Sequence, residues 1–111
     1  MQRNTFTKDE IILCAYAALY DENEFGGIEG VHRLTNRPTS SISMKIRNIV
    51  AMLQEDDLPH NRSITPLTGT APGQPSRRTN WETVEPLTRI PREKLKSHCQ
   101  RIVTRATSGA A

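Results

Sequence analysis

Residues 36–48 of this 111-residue chain hold the densest group of side chains suited to chemistry, and that chemistry is anion binding. The segment reads Asn-Arg-Pro-Thr-Ser-Ser-Ile-Ser-Met-Lys-Ile-Arg-Asn and contains no carboxylate. A helix that begins among its hydroxyls offers backbone N–H groups to a phosphate, and basic side chains one and two turns later can add charge-assisted hydrogen bonds. Serine and asparagine can also bind base edges. The segment therefore predicts contact with DNA, and a capped, solvated surface helix is the alternative.

The candidate DNA-binding residues carry basic, hydroxyl or amide side chains in this segment, in the linker that follows, and on the last predicted helix. They are Arg37, Thr39, Ser40, Ser41, Lys45, Arg47, Asn48, Arg77, Arg78, Lys94, Arg101 and Arg105. With about four to six phosphates neutralised, the log of the affinity should fall against the log of the salt concentration with a slope of about −4 to −5.

The charge distribution supports an anionic partner. The formal net charge is +3 and the pI is about 9.2. Residues 31–54 carry four basic side chains and no acidic one, residues from 58 onward carry nine basic against three acidic, and residues 1–30 are net acidic. Such asymmetry is typical of a protein with one face that attracts anions.

Other chemistries lack their sequence patterns. The three histidines and the cysteines Cys14 and Cys99 do not show the paired spacing of zinc ligands, and we interpret both cysteines as small core residues. No histidine is placed as the base of a nucleophilic site, and residues 26–30 lack the Gly-Lys-Ser/Thr ending of a P-loop. We therefore expect no enzyme activity, no metal and no cofactor.

Helices must position the candidate residues. A Thr-x-x-Glu capping box at residues 7–10 predicts a first helix over about 8–20, with one apolar side toward the core. Apolar spacing predicts a second helix over 28–35 and a third from residue 39 or 40 to about 54. A proline at position 91 predicts the start of a last helix over about 91–105.

The two basic helices are predicted to be amphipathic. On the third helix the apolar stripe comprises Ile42, Ile46, Ile49, Val50 and Leu53. The opposite side, expected to be exposed, holds Ser40, Met44, Arg47, Asn48 and Ala51, with Ser41 and Lys45 on its flank. On the last helix the apolar stripe is Leu95, Cys99, Ile102 and Ala106, and the basic side is Lys94, His98, Arg101 and Arg105.

These elements predict an all-α chain in three parts. Residues 1–58 form a trihelical, helix-turn-helix-like domain, residues 59–80 a flexible linker rich in Pro, Gly and Thr, and residues 81–111 a basic helical segment with a C-terminal amphipathic helix. Trp81 is expected to anchor that last segment to the core.

A family resemblance runs over residues 5–55. The pattern Phe6-Thr7-x-x-Glu10-Ile11-Ile12 through Tyr20, followed by Leu34-x-x-Arg37-x-x-Ser40-Ser41-Ile42-Ser43-x-Lys45-Ile46-Arg47-Asn48, resembles the small helical module in front of the catalytic domain of some bacterial HNH restriction endonucleases. It is similar, more loosely, to Myb-like and other trihelical DNA-binding domains. The resemblance implies a DNA-contacting or specificity module with Ser41, Lys45 and Asn48 on the matching face. Phe6 stands where the family has a leading Trp, and no HNH nuclease motif follows, so nuclease activity is not implied.

Two functions follow as expectations. The first is a small DNA-binding protein, a regulator or specificity module, whose third helix enters the major groove of double-stranded DNA. The alternative is a protein-interaction module, such as a phage or mobile-element regulator or inhibitor, that docks on a partner protein or forms a homodimer; exposure of Met44 and Trp81 would favour it. No segment reaches the roughly 20 apolar residues of a membrane span, and the start lacks a secretory apolar stretch, so we expect a cytoplasmic protein without membrane association.

Overall fold

The computed structural model describes residues 6–20, 27–66 and 80–109, and every regular element in these ranges is helical. The elements are α1 (Lys8–Leu19), α2 (Gly27–Thr35), α3 (Thr39–Glu55), α4 (Trp81–Val84), a 3₁₀ helix (Glu85–Arg89) and α5 (Arg92–Gly109). The predicted all-α fold class is confirmed for this part of the chain. Residues 67–79, which include Arg77 and Arg78, lie outside the described residues. None of the described helices is long and apolar enough to cross a membrane.

Helix α1 begins at the predicted capping box. The Thr7 backbone N–H donates to the Glu10 carboxylate at 2.8 Å, and the Glu10 N–H donates to the Thr7 hydroxyl oxygen at 3.2 Å. These bonds satisfy two of the N–H groups that a helix start leaves without an intrahelical acceptor. The sequence signal at this helix start is therefore confirmed.

Helix α1 is buried on all sides, from Glu10 to Leu19. The expectation that only one side of this helix faces the core is wrong, because α2, α3, α4, the 3₁₀ helix and α5 all pack against it. Its sequence between Ile11 and Leu19 contains no charged residue, so no side of it requires solvent. An all-round apolar helix is the form expected at the centre of a core.

A short turn joins α2 to α3. Asn36 adopts a left-handed backbone conformation, with φ of 60°, and its N–H donates to the His32 carbonyl at 2.7 Å. Pro38 precedes α3, and its carbonyl accepts from the N–H groups of Ser41 and Ile42. Proline fixes an extended entry into the helix and prevents α2 from continuing.

Residues 59–66, the first part of the predicted linker, return to α1. The Asn61 backbone N–H donates to the Ala18 carbonyl at 2.7 Å, and the Asn61 side-chain amide donates to the Ala17 carbonyl at 3.3 Å. Ile64 packs against the core from the same stretch.

Helix α5 runs antiparallel to α1. The Arg92 Nε atom donates to the Tyr16 hydroxyl at 3.1 Å near the end of α1, and Arg105 pairs with Asp9 at 2.8 Å near its start. Leu95, Cys99 and Ile102 enter the same hydrophobic core as α1. Trp81 is half-buried and packs against this core as well. Residues from the first and last predicted parts thus share one interior.

Candidate nucleic-acid interface

The solvent-facing strip of α3 differs from the predicted one. Ser40 is exposed and Met44 is 55% exposed, while Ser43 and Arg47 are half-buried. These four residues follow the spacing i, i+3, i+4 and i+7, which defines one helix face. Ser43 was not among the predicted site residues.

The expectation that Lys45, Asn48 and Ala51 face solvent is wrong. Lys45 and Asn48 are each 7% exposed, and Ala51 is buried. The apolar stripe correctly marked the side of α3 that packs on α1, but helices at the centre of a small protein are covered on more than one side. The start of α1 and the start of α4 cover the flank of α3 that was expected to be free.

Lys45 is held by Asn80 and Phe6. Its Nζ atom donates to the Asn80 side-chain oxygen at 2.6 Å and lies 5.8 Å from the centroid of the Phe6 ring. Burial lowers the pKa of the Lys45 ammonium, an effect that the nearby Cys14 thiol opposes. Burial also raises the pKa of the Cys14 thiol to about 12, an effect that the charge of Lys45 partly offsets. Lys45 therefore belongs to the interior of the protein.

Arg37 is neutralised within the protein. Its guanidinium binds both oxygens of Glu10, through Nη2 to Oε1 at 2.8 Å and Nε to Oε2 at 3.3 Å. The same guanidinium lies 4.1 Å from the Phe6 ring centroid, in the position of a cation–π contact. Both side chains of the ion pair are mostly buried. A DNA phosphate would have to displace a carboxylate to reach this arginine.

The remaining α3 candidates are distributed around the helix start. Thr39 and Ser41 are half-buried. The Nε atom of Arg47 donates to the Thr65 carbonyl at 3.1 Å, which ties this side chain to the returning segment. Of the seven predicted residues between 37 and 48, only Ser40 is exposed.

Helix α5 carries three of the predicted site residues as exposed cations. Lys94, Arg101 and Arg105 are all exposed and occur at i, i+7 and i+11, so that they lie along one side of the helix. We call these three residues the α5 stripe. Lys94 to Arg101 spans about 10 Å of helix and Arg101 to Arg105 about 6 Å. Arg105 pairs with Asp9 across the surface, in a contact whose side chains are 67% and 51% exposed.

Three helix ends meet at the start of α1. Glu10 binds Arg37 from the α2–α3 turn, and Asp9 binds Arg105 near the end of α5. An open groove of about 340 Å³ lies between these ends, and its lining includes Thr7, Leu34 and Ile102. Sequence reasoning missed the roles of Phe6, Glu10 and Asn80 in covering the basic residues. The local pattern identified Glu10 as a capping residue only, and nothing local connects Asn80 to Lys45.

The described residues contain no group of three or more His, Cys, Asp and Glu side chains that could hold a metal ion. Cys14 and Cys99 are free thiols, and both are buried in the core. The Sγ atom of Cys99 lies 3.9 Å from the Ile12 carbonyl oxygen, so this cysteine contributes to the packing of α5 on α1.

Comparison of the chain with protein families, with curated proteins and with solved structures finds no match. The resemblance of residues 5–55 to the helical module of HNH endonucleases therefore stays a prediction.

Proposed function

We propose that the protein binds the sugar–phosphate backbone of double-stranded DNA through the α5 stripe. The observation that supports this proposal is the exposure of Lys94, Arg101 and Arg105 on one side of α5. Phosphate contacts supply most of the affinity of non-specific DNA binding, and they require cations that can reach the backbone. The cations of the stripe meet that requirement better than Arg37 and Lys45, which have partners inside the protein.

The chemistry of the stripe suits phosphate. The guanidinium groups of Arg101 and Arg105 can each donate two parallel hydrogen bonds to phosphate oxygens, and Lys94 adds a point charge. Three contacts predict a salt slope of about −2.7, shallower than the slope expected from the full set of candidates. Arg77 and Arg78 would steepen this slope if they also contact DNA.

The proposal also includes contacts from α3, the helix expected to enter the major groove, but from fewer residues than the sequence predicted. On α3 we assign to DNA the strip of Ser40, Ser43, Met44 and Arg47. Lys45 and Asn48 are not assigned to DNA contacts, because both are buried. The resemblance to endonuclease-associated modules favours DNA as the partner. The corresponding function is that of a regulator or specificity module that binds DNA without catalysing a reaction.

The test is fluorescence anisotropy of a rhodamine-labelled duplex at about 50 mM salt, with the protein at micromolar concentration. We expect Lys94→Glu/Arg101→Glu to weaken binding at least about tenfold, because it replaces two attractive charges with repulsive ones. Arg62→Glu is the control for a single exposed arginine outside α5, and it should change the affinity by less than about threefold. Absence of binding by the natural sequence, or equal losses in both variants, would overturn the proposal.

The second candidate function is a protein-interaction module, and the exposure of Met44 favours it. Large apolar side chains in contact with solvent often mark a docking surface. Beside this face lies an open groove of about 460 Å³ whose lining includes Ile28, Ile46 and Ile64. A concentration-dependent mass in light scattering that Met44→Ser abolishes, together with no response to DNA, would favour this function over the first.

A further inference from the structure

We propose that His98 is a fourth phosphate contact of the α5 stripe and that DNA binding is coupled to uptake of a proton by this side chain. The inference rests on the proposed function, since it concerns the same surface. His98 lies one turn after Lys94 and one turn before Arg101, so that it fills the gap in the stripe.

His98 contacts Arg101, its neighbour in the stripe. An Nη2 hydrogen of Arg101 points to the Nδ1 atom of His98 at 3.2 Å. A guanidinium can only donate hydrogen bonds, so Nδ1 is the acceptor in this contact.

A phosphate changes this arrangement. A phosphate oxygen between the two side chains can accept from Arg101 and, once Nδ1 has taken a proton, from His98 as well. The proton comes from the buffer, and no covalent bond is made or broken. A negative charge beside the imidazole favours its charged form, and histidine is the side chain that changes charge between about pH 5 and 8.

The charged groups around His98 favour this coupling. On α5 the neighbours in the stripe are Lys94 and Arg101, with Arg105 two turns away. Helix α1 contributes two carboxylates near the end of α5, but Asp9 already binds Arg105 and Glu10 already binds Arg37. Helix α2, which also packs on α5, carries Glu29, His32 and Arg33. A DNA phosphate would therefore bring new negative charge to a predominantly basic surface.

The experiment measures the dissociation constant for the rhodamine-labelled duplex at about pH 5.5 and about pH 8.0, over a series of salt concentrations. We expect the natural sequence to bind about three- to tenfold more tightly at the lower pH. The salt slope should become steeper by about 0.9, the value for one additional phosphate contact. His98→Gln should bind at both pH values and lose most of both differences.

His60→Gln is the matched control, because it makes the same substitution at a histidine outside α5. Calorimetry in two buffers of different ionisation enthalpy gives an independent readout, with proton uptake by the natural sequence and by His60→Gln and less uptake by His98→Gln. If the protein binds DNA but His98→Gln keeps the full pH dependence, the inference is overturned while the proposed function stands. If no DNA binding occurs at either pH, the proposed function itself is overturned.

Discussion

The Nζ atom of Lys45 lies 2.6 Å from the side-chain oxygen of Asn80, a residue 35 positions further along the chain. Asn80 precedes α4 in a left-handed backbone conformation, with φ of 68°. The contact joins the flank of α3 to the start of α4 and places a basic side chain in the interior. The contact therefore keeps Lys45 away from a ligand at the surface.

Replacing Asn80 with glycine should destabilise the protein. Asn80→Gly removes an acceptor from a buried ammonium, and glycine adopts a positive φ without strain, so the hydrogen bond is the main loss. We expect the free energy of unfolding to fall by about 1–3 kcal/mol in urea denaturation. The double variant Lys45→Met/Asn80→Gly removes both partners and should recover part of this loss. An unchanged denaturation midpoint for Asn80→Gly would contradict the prediction.

Cys14 should make the protein less stable in alkali. Its folded-state pKa is raised to about 12 from the ordinary value of 9.0, so above pH 9 the unfolded chain releases a proton that the folded chain keeps. The stabilising contribution is complete below pH 9 and declines as the pH rises toward 12. By about pH 10.5 the loss is about 2 kcal/mol.

The measurement is the pH dependence of the free energy of unfolding for the natural sequence and for Cys14→Ala, which should lose less stability above pH 9.

Lys45 acts in the opposite direction. Its folded-state pKa is lowered, so its contribution to the free energy of unfolding rises with pH through the interval between the folded and unfolded pKa values. The free energy of unfolding of Lys45→Met should therefore fall more steeply in alkali than that of the natural sequence. If the free energy of unfolding depends on pH in the same way for the natural sequence, Cys14→Ala and Lys45→Met, both titration effects are excluded.

Glu10 has two separable roles. Glu10→Gln retains an oxygen for the Thr7 N–H but leaves the Arg37 guanidinium without its carboxylate, and it should cost about 2–4 kcal/mol in unfolding free energy. Glu10→Ala also removes the capping contact and should cost about 1 kcal/mol more. Chemical denaturation of the two variants tests this order. If Glu10→Gln is as stable as the natural sequence, the ion pair does not hold the α2–α3 turn in place.

Asp9 should weaken DNA binding by competing for Arg105. Asp9→Asn removes a carboxylate 2.8 Å from the guanidinium, and we expect DNA affinity to rise about two- to fivefold at low salt. The anisotropy assay with the labelled duplex measures the change. In an Arg105→Ala background the gain should disappear. Equal gains with and without Arg105 would assign the effect to the overall charge of the protein.

Local sequence rules predicted the positions of the longer helices. The capping box placed the start of α1, the apolar spacing placed α3, and Pro38 placed the break between α2 and α3. These signals act between residues a few positions apart, and the sequence contains them directly. The four-residue α4 and the 3₁₀ helix are too short to show a periodic pattern, so the sequence did not predict them.

The exposed face of α3 could not be predicted from local sequence rules. Its apolar stripe identifies the side that packs on α1, but Asn48 and Lys45 are polar residues covered by more distant parts of the chain. Phe6 and Asn80 lie far from them in sequence, and their contacts depend on the tertiary arrangement. The α5 stripe was easier to predict, since Lys94 and Arg101 are exposed on a helix at the outside of the molecule.

The central position of α1 has a consequence for folding. Each of the other helices buries part of its surface against α1, so none of them can detach without opening the common interior. Unfolding should therefore be cooperative across the described parts of the chain, and the backbone amides of α1 should undergo hydrogen exchange only through global unfolding. A fragment that ends before α5 would leave the Ile12 and Tyr16 side of α1 facing water and would lose this cooperativity.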